Sequence, residues 1–316
     1  MAWGHVMAMI RINALGETPV LHGRVTGFDE GVATVADVTG PVVIMVHGYK
    51  YKPGHPNHCP HRHILSLDPQ HLPWRAPSWP RQLGFGLGRV DEGLAVAFGW
   101  DARGTLISAQ SRATGAGRAL ARVVKALHAQ AHAREIHILG HSLGSEVALE
   151  ALHHLPAGLV SRVIALTGAS YQSRADEALQ TPAGRAVEFF NITSRENDAF
   201  DFIFETLTRR PARGDRALGQ GFEAANAVTL QLDCMDTLEH LAAMGHPIGL
   251  PEHRICHWSS YMRPGALRFY KRLVRQPERT PLRLMQQVRP DVPARRWSRL
   301  LALRPLPGPM PIWQRI

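Results

Sequence analysis

The sequence is poor in cysteine, with three in 316 residues: Cys59, Cys234 and Cys256. A small and odd number does not provide the disulfide framework that is typical of compact secreted domains. The composition therefore favours a reducing compartment, and we expect a cytoplasmic protein.

Long apolar runs are also lacking. No stretch of 18 or more apolar residues occurs, so the sequence predicts no transmembrane segment. Residues 1–10 lack the basic start, the long apolar centre and the cleavage site of a signal peptide, and none is expected. The hydrophobic fraction of 45% and the charged fraction of 20% are those of an ordinary globular protein.

Most of the chain lacks an excess of charge. The net charge is +10, but residues 271–316 contribute +9 of it, with eleven cationic side chains against two acidic ones. The rest is close to neutral, so we expect no nucleic-acid partner. Residues 276–316, interrupted by proline and arginine, are predicted to form an arm that packs on its own domain or on a second subunit of a homo-oligomer. Binding of an anionic surface is the alternative.

Buried strands alternate with helices from residue 41 to residue 275. Continuous apolar runs indicate strands at 41–46, 94–98, 135–139, 162–166 and 186–192, and a late strand at 227–232. Helices are indicated at 105–131, 143–155 and 264–274. This alternation is typical of an α/β fold in which helices cover both faces of a mostly parallel sheet.

Other segments depart from the alternation. Residues 6–12 and 24–38 are predicted as short strands in an antiparallel start. Residues 50–90 are rich in proline, histidine and glycine and are predicted to form an irregular insertion. A second insertion, at about 200–250, is a possible lid or cap. The sequence thus predicts one domain over residues 1–275, followed by the arm.

A serine motif lies between a predicted strand and a predicted helix. The strand 135–139 runs into Gly140-His141-Ser142-Leu143-Gly144, and a helix follows. A turn this tight holds a serine at its tip only if the residues two positions away are small, and both are glycine. The motif therefore predicts Ser142 as a nucleophile; a glycine turn with Ser142 as a helix cap is the alternative.

With these residues the chain resembles the α/β-hydrolase superfamily, in its lipase and esterase form, over about residues 40–275. The resemblance implies an eight-stranded core sheet and catalytic residues in the order serine, acid, histidine.

The resemblance also implies an oxyanion hole after the strand 42–46, where His47-Gly48-Tyr49 follows. The backbone N–H groups of Tyr49 and Leu143 would stabilise the developing oxyanion. His47, Gly48 and His141 are expected to line the substrate site. A plain turn at the end of a strand is the alternative for this segment.

The acid and the base are expected after residue 192. Asp198 is the preferred acid and Glu196 the second choice, although either could be a solvated loop charge or a helix cap. His257 is the preferred base, because it leads directly into the closing helix, and His253 is the second choice; His240 and His246 also qualify by position.

The predicted reaction is two-step acyl transfer from a small-molecule ester through an acyl-enzyme, with no cofactor. A thioesterase or an acyltransferase would use the same triad. A non-catalytic scaffold that binds an acidic partner through its basic arm is the alternative outside the enzymes.

A histidine-rich segment, residues 55–63, holds five side chains that could bind a metal. Its spacing matches no closed zinc motif, so we predict a loop that packs locally or shapes the substrate entrance, and no metal site. Phe200, Phe202 and Phe204 could line an acyl pocket, with core packing as the alternative.

Overall fold

The sheet is the organising feature of the computed structural model, which describes residues 9–24, 27–33, 39–71, 76–130, 134–288 and 294–301. Within these ranges eight strands form one sheet in the order β2-β1-β4-β3-β5-β6-β7-β8. The strands are β1 (Met9–Leu15), β2 (Thr18–Leu21), β3 (Val42–Val46), β4 (Leu94–Gly99), β5 (Ile136–His141), β6 (Arg162–Leu166), β7 (Glu188–Thr193) and β8 (Ala227–Gln231).

Helices connect the strands. In the described ranges they are α1 (Phe28–Ala33), α2 (Trp79–Gln82), α3 (Leu106–Gln130), α4 (Leu143–Leu152), α5 (Gln172–Leu179), α6 (Pro182–Ala186), α7 (Asp198–Leu207), α8 (Met235–Ala243), α9 (Ser259–Met262), α10 (Ala266–Arg275), α11 (Leu282–Gln286) and α12 (Ser298–Leu301). In the same part of the chain, no helix is long and apolar enough to cross a membrane.

Both faces of the sheet are buried, as β3 illustrates. Ile44 and Val46 belong to a core that also contains apolar residues of α3 and α4. Val43 and Met45, which alternate with them, belong to a second core with residues of α8 and α10. A strand buried on both faces needs a continuous apolar run, and this explains why β3 to β6 could be predicted from the sequence.

The start of the chain differs from its prediction. β1 pairs antiparallel with β2 and parallel with β4, so the antiparallel start is present, but β2 ends at Leu21. The predicted strand at 24–38 is wrong where the structure describes it, because residues 28–33 form α1. Phe28 and Val32, four positions apart, place two apolar side chains on one helical face toward the core. Residues 6–8, 25, 26 and 34–38 lie outside the described ranges.

The two insertions contribute to the core. In the segment 50–90, Trp79, Leu83 and Phe85 are fully buried beneath the face that α10 covers. In the segment 200–250, β8 pairs parallel with β7 and α8 follows it. The predicted late strand is thus an integral edge of the sheet, and α7 and a 3-10 turn, Leu218–Gln220, lie between it and the loop after β7.

The arm packs on the domain where the structure describes it. Gln286 of α11 donates to the carbonyl oxygens of Ala225 (3.1 Å) and Ala227 (3.0 Å) beside β8. Further along, the N–H of Trp297 donates to a carboxylate oxygen of Asp198 at 2.6 Å. Residues 289–293 and 302–316 of the arm lie outside the described ranges, and its expected role in oligomerisation stays a prediction.

Candidate active site

Ser142 lies in a strained turn between β5 and α4. Its backbone has φ 54° and ψ −125°, a region that residues with a side chain seldom occupy. The turn is fixed by two backbone hydrogen bonds, from the N–H of Ser142 to Leu166 and from the N–H of Ala169 to Ser142, both 3.0 Å. The strain positions the side chain of Ser142 at the tip of the turn, at the carboxyl ends of the strands.

The glycines that flank Ser142 cannot carry side chains. A Cβ on Gly140 would lie 2.6 Å from the carbonyl oxygen of Gly144, and a Cβ on Gly144 would overlap the carbonyl oxygen of Val46. Both contacts are to backbone, which cannot move aside as a flexible side chain could. The steric reason for the motif therefore applies in this fold.

The loop after β3 lies against this turn. A Cβ on Gly48 would be 2.6 Å from Cβ of Ser142 and 2.8 Å from the carbonyl oxygen of His141. Leu143 is the first residue of α4, so its N–H has no partner within the helix. The backbone of residues 47–49 and the N-terminus of α4 thus meet beside the hydroxyl of Ser142.

His47 holds this loop in place. Its side chain is fully buried, its Nε2 accepts the N–H of Trp100 at 3.0 Å, and its Nδ1 donates to the carbonyl of Gly48 at 2.9 Å. Burial lowers the pKa of His47 to about 4, so the ring is neutral and both its nitrogens are occupied. The expectation that His47 contacts the substrate is therefore corrected: it supports the loop that Gly48 belongs to.

His257 lies in the loop before α9, and its partner is an amide. Nδ1 of His257 and Oδ1 of Asn197 are 2.6 Å apart. Asn197 is 2% exposed and ends a 3-10 turn, Arg195–Asn197, that follows β7. The amide oxygen can only accept, so Nδ1 carries the proton and Nε2 is left as the basic atom.

The predicted acid, Asp198, is therefore wrong as the partner of His257. One residue further along a helix points about 100° away, and Asp198 is the first residue of α7. Its carboxylate accepts from Arg195 at 3.1 Å and from the backbone N–H of Trp297 at 2.6 Å. Asp198 thus anchors the arm instead.

The second choices, Glu196 and His253, lie elsewhere in the same region. Glu196 forms a buried ion pair with Arg263 and accepts the N–H of His253 at 3.0 Å. The side chain of His253 is exposed. Glu196 therefore fastens the segment that carries His257.

His141 and His257 are neighbours, with ring centroids 4.7 Å apart. Nε2 of His141 lies 3.1 Å from the carbonyl oxygen of His257 and donates to it, which ties the base loop to the residue before Ser142. Burial lowers the pKa of His257 well below its ordinary value, and His141 lowers it further. Burial also lowers the pKa of His141 to about 4. Both rings are neutral at pH 7, and a neutral imidazole can accept a proton.

A family comparison agrees with the sheet and the turn. Residues 28–166, somewhat less than half of the chain, match the model of a family described as "Alpha/beta hydrolase of unknown function (DUF900)". The chain has the α/β-hydrolase fold. The match includes Gly48 and Ser142 and ends before Asn197 and His257, whose assignment depends on the geometry above. No curated protein matches the sequence.

The three phenylalanines of α7 have different surroundings. The ring of Phe200 stacks on His257 with centroids 4.7 Å apart. Phe202 is exposed and contacts Trp297, whereas Phe204 is buried and packs on Tyr171. Of the three, Phe200 alone covers the base, whereas Phe204 packs in the core, which was the alternative to an acyl pocket.

Sequence reasoning also missed a buried carboxylate, that of Asp201. It accepts from Nδ2 of Asn197 at 2.9 Å and from Nε2 of Gln220 at 3.2 Å. Burial raises its pKa to about 7, and Arg195 opposes that rise. The spacing of four residues between Asn197 and Asp201 places both side chains on one helical face, and this is the signal that could have revealed the pair.

We expect the stability of the protein to report the ionisation of Asp201. Since its pKa is higher in the folded chain than the ordinary value near 4, its favourable contribution to the free energy of unfolding is fully present below about pH 4. It is lost as the pH rises through about 7. Replacement by asparagine removes this loss. The stability of Asp201→Asn relative to wild type should therefore increase from pH 5 to pH 8 in urea denaturation.

The control for that measurement is Asp215→Asn, at a half-buried carboxylate that accepts the hydroxyl of Ser173. Its stability relative to wild type should stay constant over the same pH interval. An Asp201→Asn difference that is the same at pH 5 and pH 8 would contradict the raised pKa.

The side chains of the histidine-rich segment form hydrogen bonds with other parts of the chain. His61 pairs with Asn13 and His63 with Tyr51, each at 2.6 Å, and Cys59 accepts the N–H of Gly54 at 3.3 Å. Across the ranges that the structure describes, no three metal-binding side chains converge. These residues thus follow the prediction of local packing.

Proposed function

We propose that this α/β-hydrolase is a serine hydrolase in which Ser142 is the nucleophile, His257 the general base and Asn197 the residue that orients it. One observation carries the proposal: the strained strand-to-helix turn that holds Ser142 packs, through His141, against a neutral histidine whose Nδ1 is held by an amide oxygen. The bond from His141 to the carbonyl of His257 joins the base loop to the turn.

The mechanism follows from these positions. Nε2 of His257 takes the hydroxyl proton as Oγ of Ser142 attacks the carbonyl carbon of an ester. The N–H groups of Tyr49 and Leu143 donate to the oxyanion of the tetrahedral intermediate. The alcohol leaves with the proton from His257, and water, activated by the same Nε2, releases the acid.

An asparagine in the orienting position changes the energetics of the base. A carboxylate would stabilise the imidazolium that forms, and a neutral amide does so only weakly. The amide still selects the correct tautomer, and asparagine has this role in Cys-His-Asn sites. We therefore expect a slow esterase relative to enzymes with a carboxylate triad.

The acyl group that this site accepts is apolar. Phe200 covers His257, and the ring centroid of the exposed Trp258 lies 6.3 Å from that of Phe200. These rings favour an ester with a hydrocarbon acyl chain over a charged one. A thioester could enter the same site, and a series of p-nitrophenyl esters and acyl thioesters of equal chain length would measure the preference.

A fluorophosphonate probe tests the proposal directly. We expect it to label the purified protein at Ser142, as located by peptide mass spectrometry, because an activated serine displaces fluoride from the probe and becomes phosphonylated. His257→Gln should slow labelling by roughly 10²-fold or more, since it removes the general base.

The matched control is Asp215→Asn, at a half-buried carboxylate that accepts the hydroxyl of Ser173. It should label at nearly the wild-type rate. Labelling at another residue, or none at all in folded wild-type protein, would overturn the proposal and favour a non-catalytic scaffold.

A further inference from the structure

The orientation of the Asn197 amide decides whether His257 can act as a base. If Oδ1 of Asn197 faces Nδ1 of His257, that nitrogen carries the proton and Nε2 is free to accept one. If the NH2 group faces Nδ1 instead, the proton moves to Nε2 and Ser142 loses its base. The two ends of an amide have nearly the same shape, so packing does not select between them.

A chain of three polar groups lies behind this amide. Nδ2 of Asn197 donates to Oδ1 of Asp201 at 2.9 Å, and Nε2 of Gln220 donates to Oδ2 of the same carboxylate at 3.2 Å. Oε1 of Gln220 accepts from the guanidinium of Arg195 at 3.0 Å. The network thus runs from a cation through an amide, a carboxylate and a second amide to His257.

The two charged members give the network its direction. A guanidinium can only donate, so it turns the oxygen of Gln220 toward itself and the NH2 group toward Asp201. Above its pKa of about 7 the carboxylate of Asp201 is ionised and can only accept, so it draws the NH2 group of Asn197 and leaves the oxygen for His257. Reversing either amide would place two donors, or two acceptors, against each other in a buried site, which is costly.

We propose that Asp201 is a positioning residue that fixes the orientation of Asn197 and, through it, the tautomer of His257. The inference rests on the proposed function, because the tautomer matters only if His257 serves Ser142. Asp201 touches neither Ser142 nor His257 in this role; it acts through the amide.

The surroundings of Asp201 are built closely around it. Its side chain is 2% exposed, and a Cβ on Gly219 would overlap the carboxylate. Arg195 also donates to the carbonyl of Gly219, so the guanidinium holds that backbone against Asp201. A carboxylate that only stabilised the N-terminus of α7 through the helix dipole would need neither the close approach of Gly219 nor hydrogen bonds from two amides.

Exchanging the amide and the carboxylate provides the test. In Asp201→Asn, the NH2 group of the new amide must face another NH2 group, either that of Gln220 or that of Asn197. Two orientations are then populated, and we expect fluorophosphonate labelling to slow about tenfold or more, since the incorrect tautomer supplies no base. In the double variant Asn197→Asp with Asp201→Asn, a carboxylate faces His257 directly. Labelling should return to the wild-type rate or exceed it.

A second readout does not depend on catalysis. The 15N shifts of histidine in uniformly labelled protein report which imidazole nitrogen carries the proton. His257, assigned with His257→Gln, should be protonated at Nδ1 in the wild type and in the double variant, and mixed in Asp201→Asn. If Ser142 is not the nucleophile, no variant is labelled at Ser142. The 15N shifts still test whether Asp201 sets the tautomer of His257.

Asp215→Asn is the matched control and should alter neither readout. The proposal is overturned if folded Asp201→Asn keeps the wild-type labelling rate together with a single Nδ1-protonated His257. It is also overturned if the folded double variant is as slow as Asp201→Asn, because a purely structural role would not be rescued by moving the charge. Should the double variant fail to fold, the tautomer of Asp201→Asn decides alone.

Discussion

Ser142→Ala is expected to lower the turnover of p-nitrophenyl esters by roughly 10⁴-fold or more, the scale seen when a triad nucleophile is removed. No other hydroxyl takes the position at the tip of the turn between β5 and α4, where the backbone has φ 54°. The measurement is kcat/KM over a series of acyl chain lengths, with circular dichroism to show that the variant is folded.

The control for this variant is Ser108→Ala, at a half-buried serine of α3 that bonds to Thr105. It should keep the wild-type kcat/KM. Turnover by Ser142→Ala at the parent rate would mean that hydrolysis occurs elsewhere, and the serine mechanism would have to be abandoned.

Gly48→Ala is expected to reduce ester turnover by about 10²-fold or more, the scale of a lost oxyanion donor. The new Cβ would lie 2.6 Å from Cβ of Ser142 and 2.8 Å from the carbonyl oxygen of His141. Either the loop after β3 moves away, and the N–H of Tyr49 with it, or the turn that holds Ser142 shifts. We also expect a lower melting temperature.

Gly115→Ala serves as the comparison, since it introduces the same methyl group within α3. A Cβ there would meet its nearest neighbour at 3.4 Å, an ordinary contact, and alanine favours a helix over glycine by about 1 kcal/mol. Activity should be unchanged and stability equal or higher. A fully active Gly48→Ala protein would show that this loop does not form an oxyanion hole.

The parts of the site that the sequence could predict are local. The turn around Ser142 depends on five consecutive residues and on the strand and helix that flank them. Gly48 follows a strand whose apolar run is continuous because both faces are buried. In each case the physical requirement and the signal lie within one short stretch of sequence.

The identity of the orienting residue could not be predicted in this way. Asn197 and Asp198 are adjacent, and the 3-10 turn that precedes α7 decides which of them faces His257. Sequence reasoning sought a carboxylate, because that is what the resemblance implied. The structure does contain a buried carboxylate, Asp201, but it binds the Asn197 amide and not His257. Only the fold reveals this arrangement.

The strand predicted at 24–38 failed for a different reason. Its apolar residues are sparse, and the prediction assigned them to the two-residue repeat of a strand. Phe28 and Val32 are instead spaced by about one helical turn. A segment this short carries too few apolar positions to distinguish the two periods.

The docked arm links the start of α7 to the segment that leads to His257. Trp297 binds Asp198 beside Asn197, and the guanidinium of Arg299 donates to the carbonyl oxygens of Pro251 (3.0 Å) and His253 (3.3 Å), in the segment that leads to His257. We therefore expect the arm and both segments to open together. Hydrogen exchange at the backbone amide of Trp297 would report how often the arm releases Asp198, without any substrate being present.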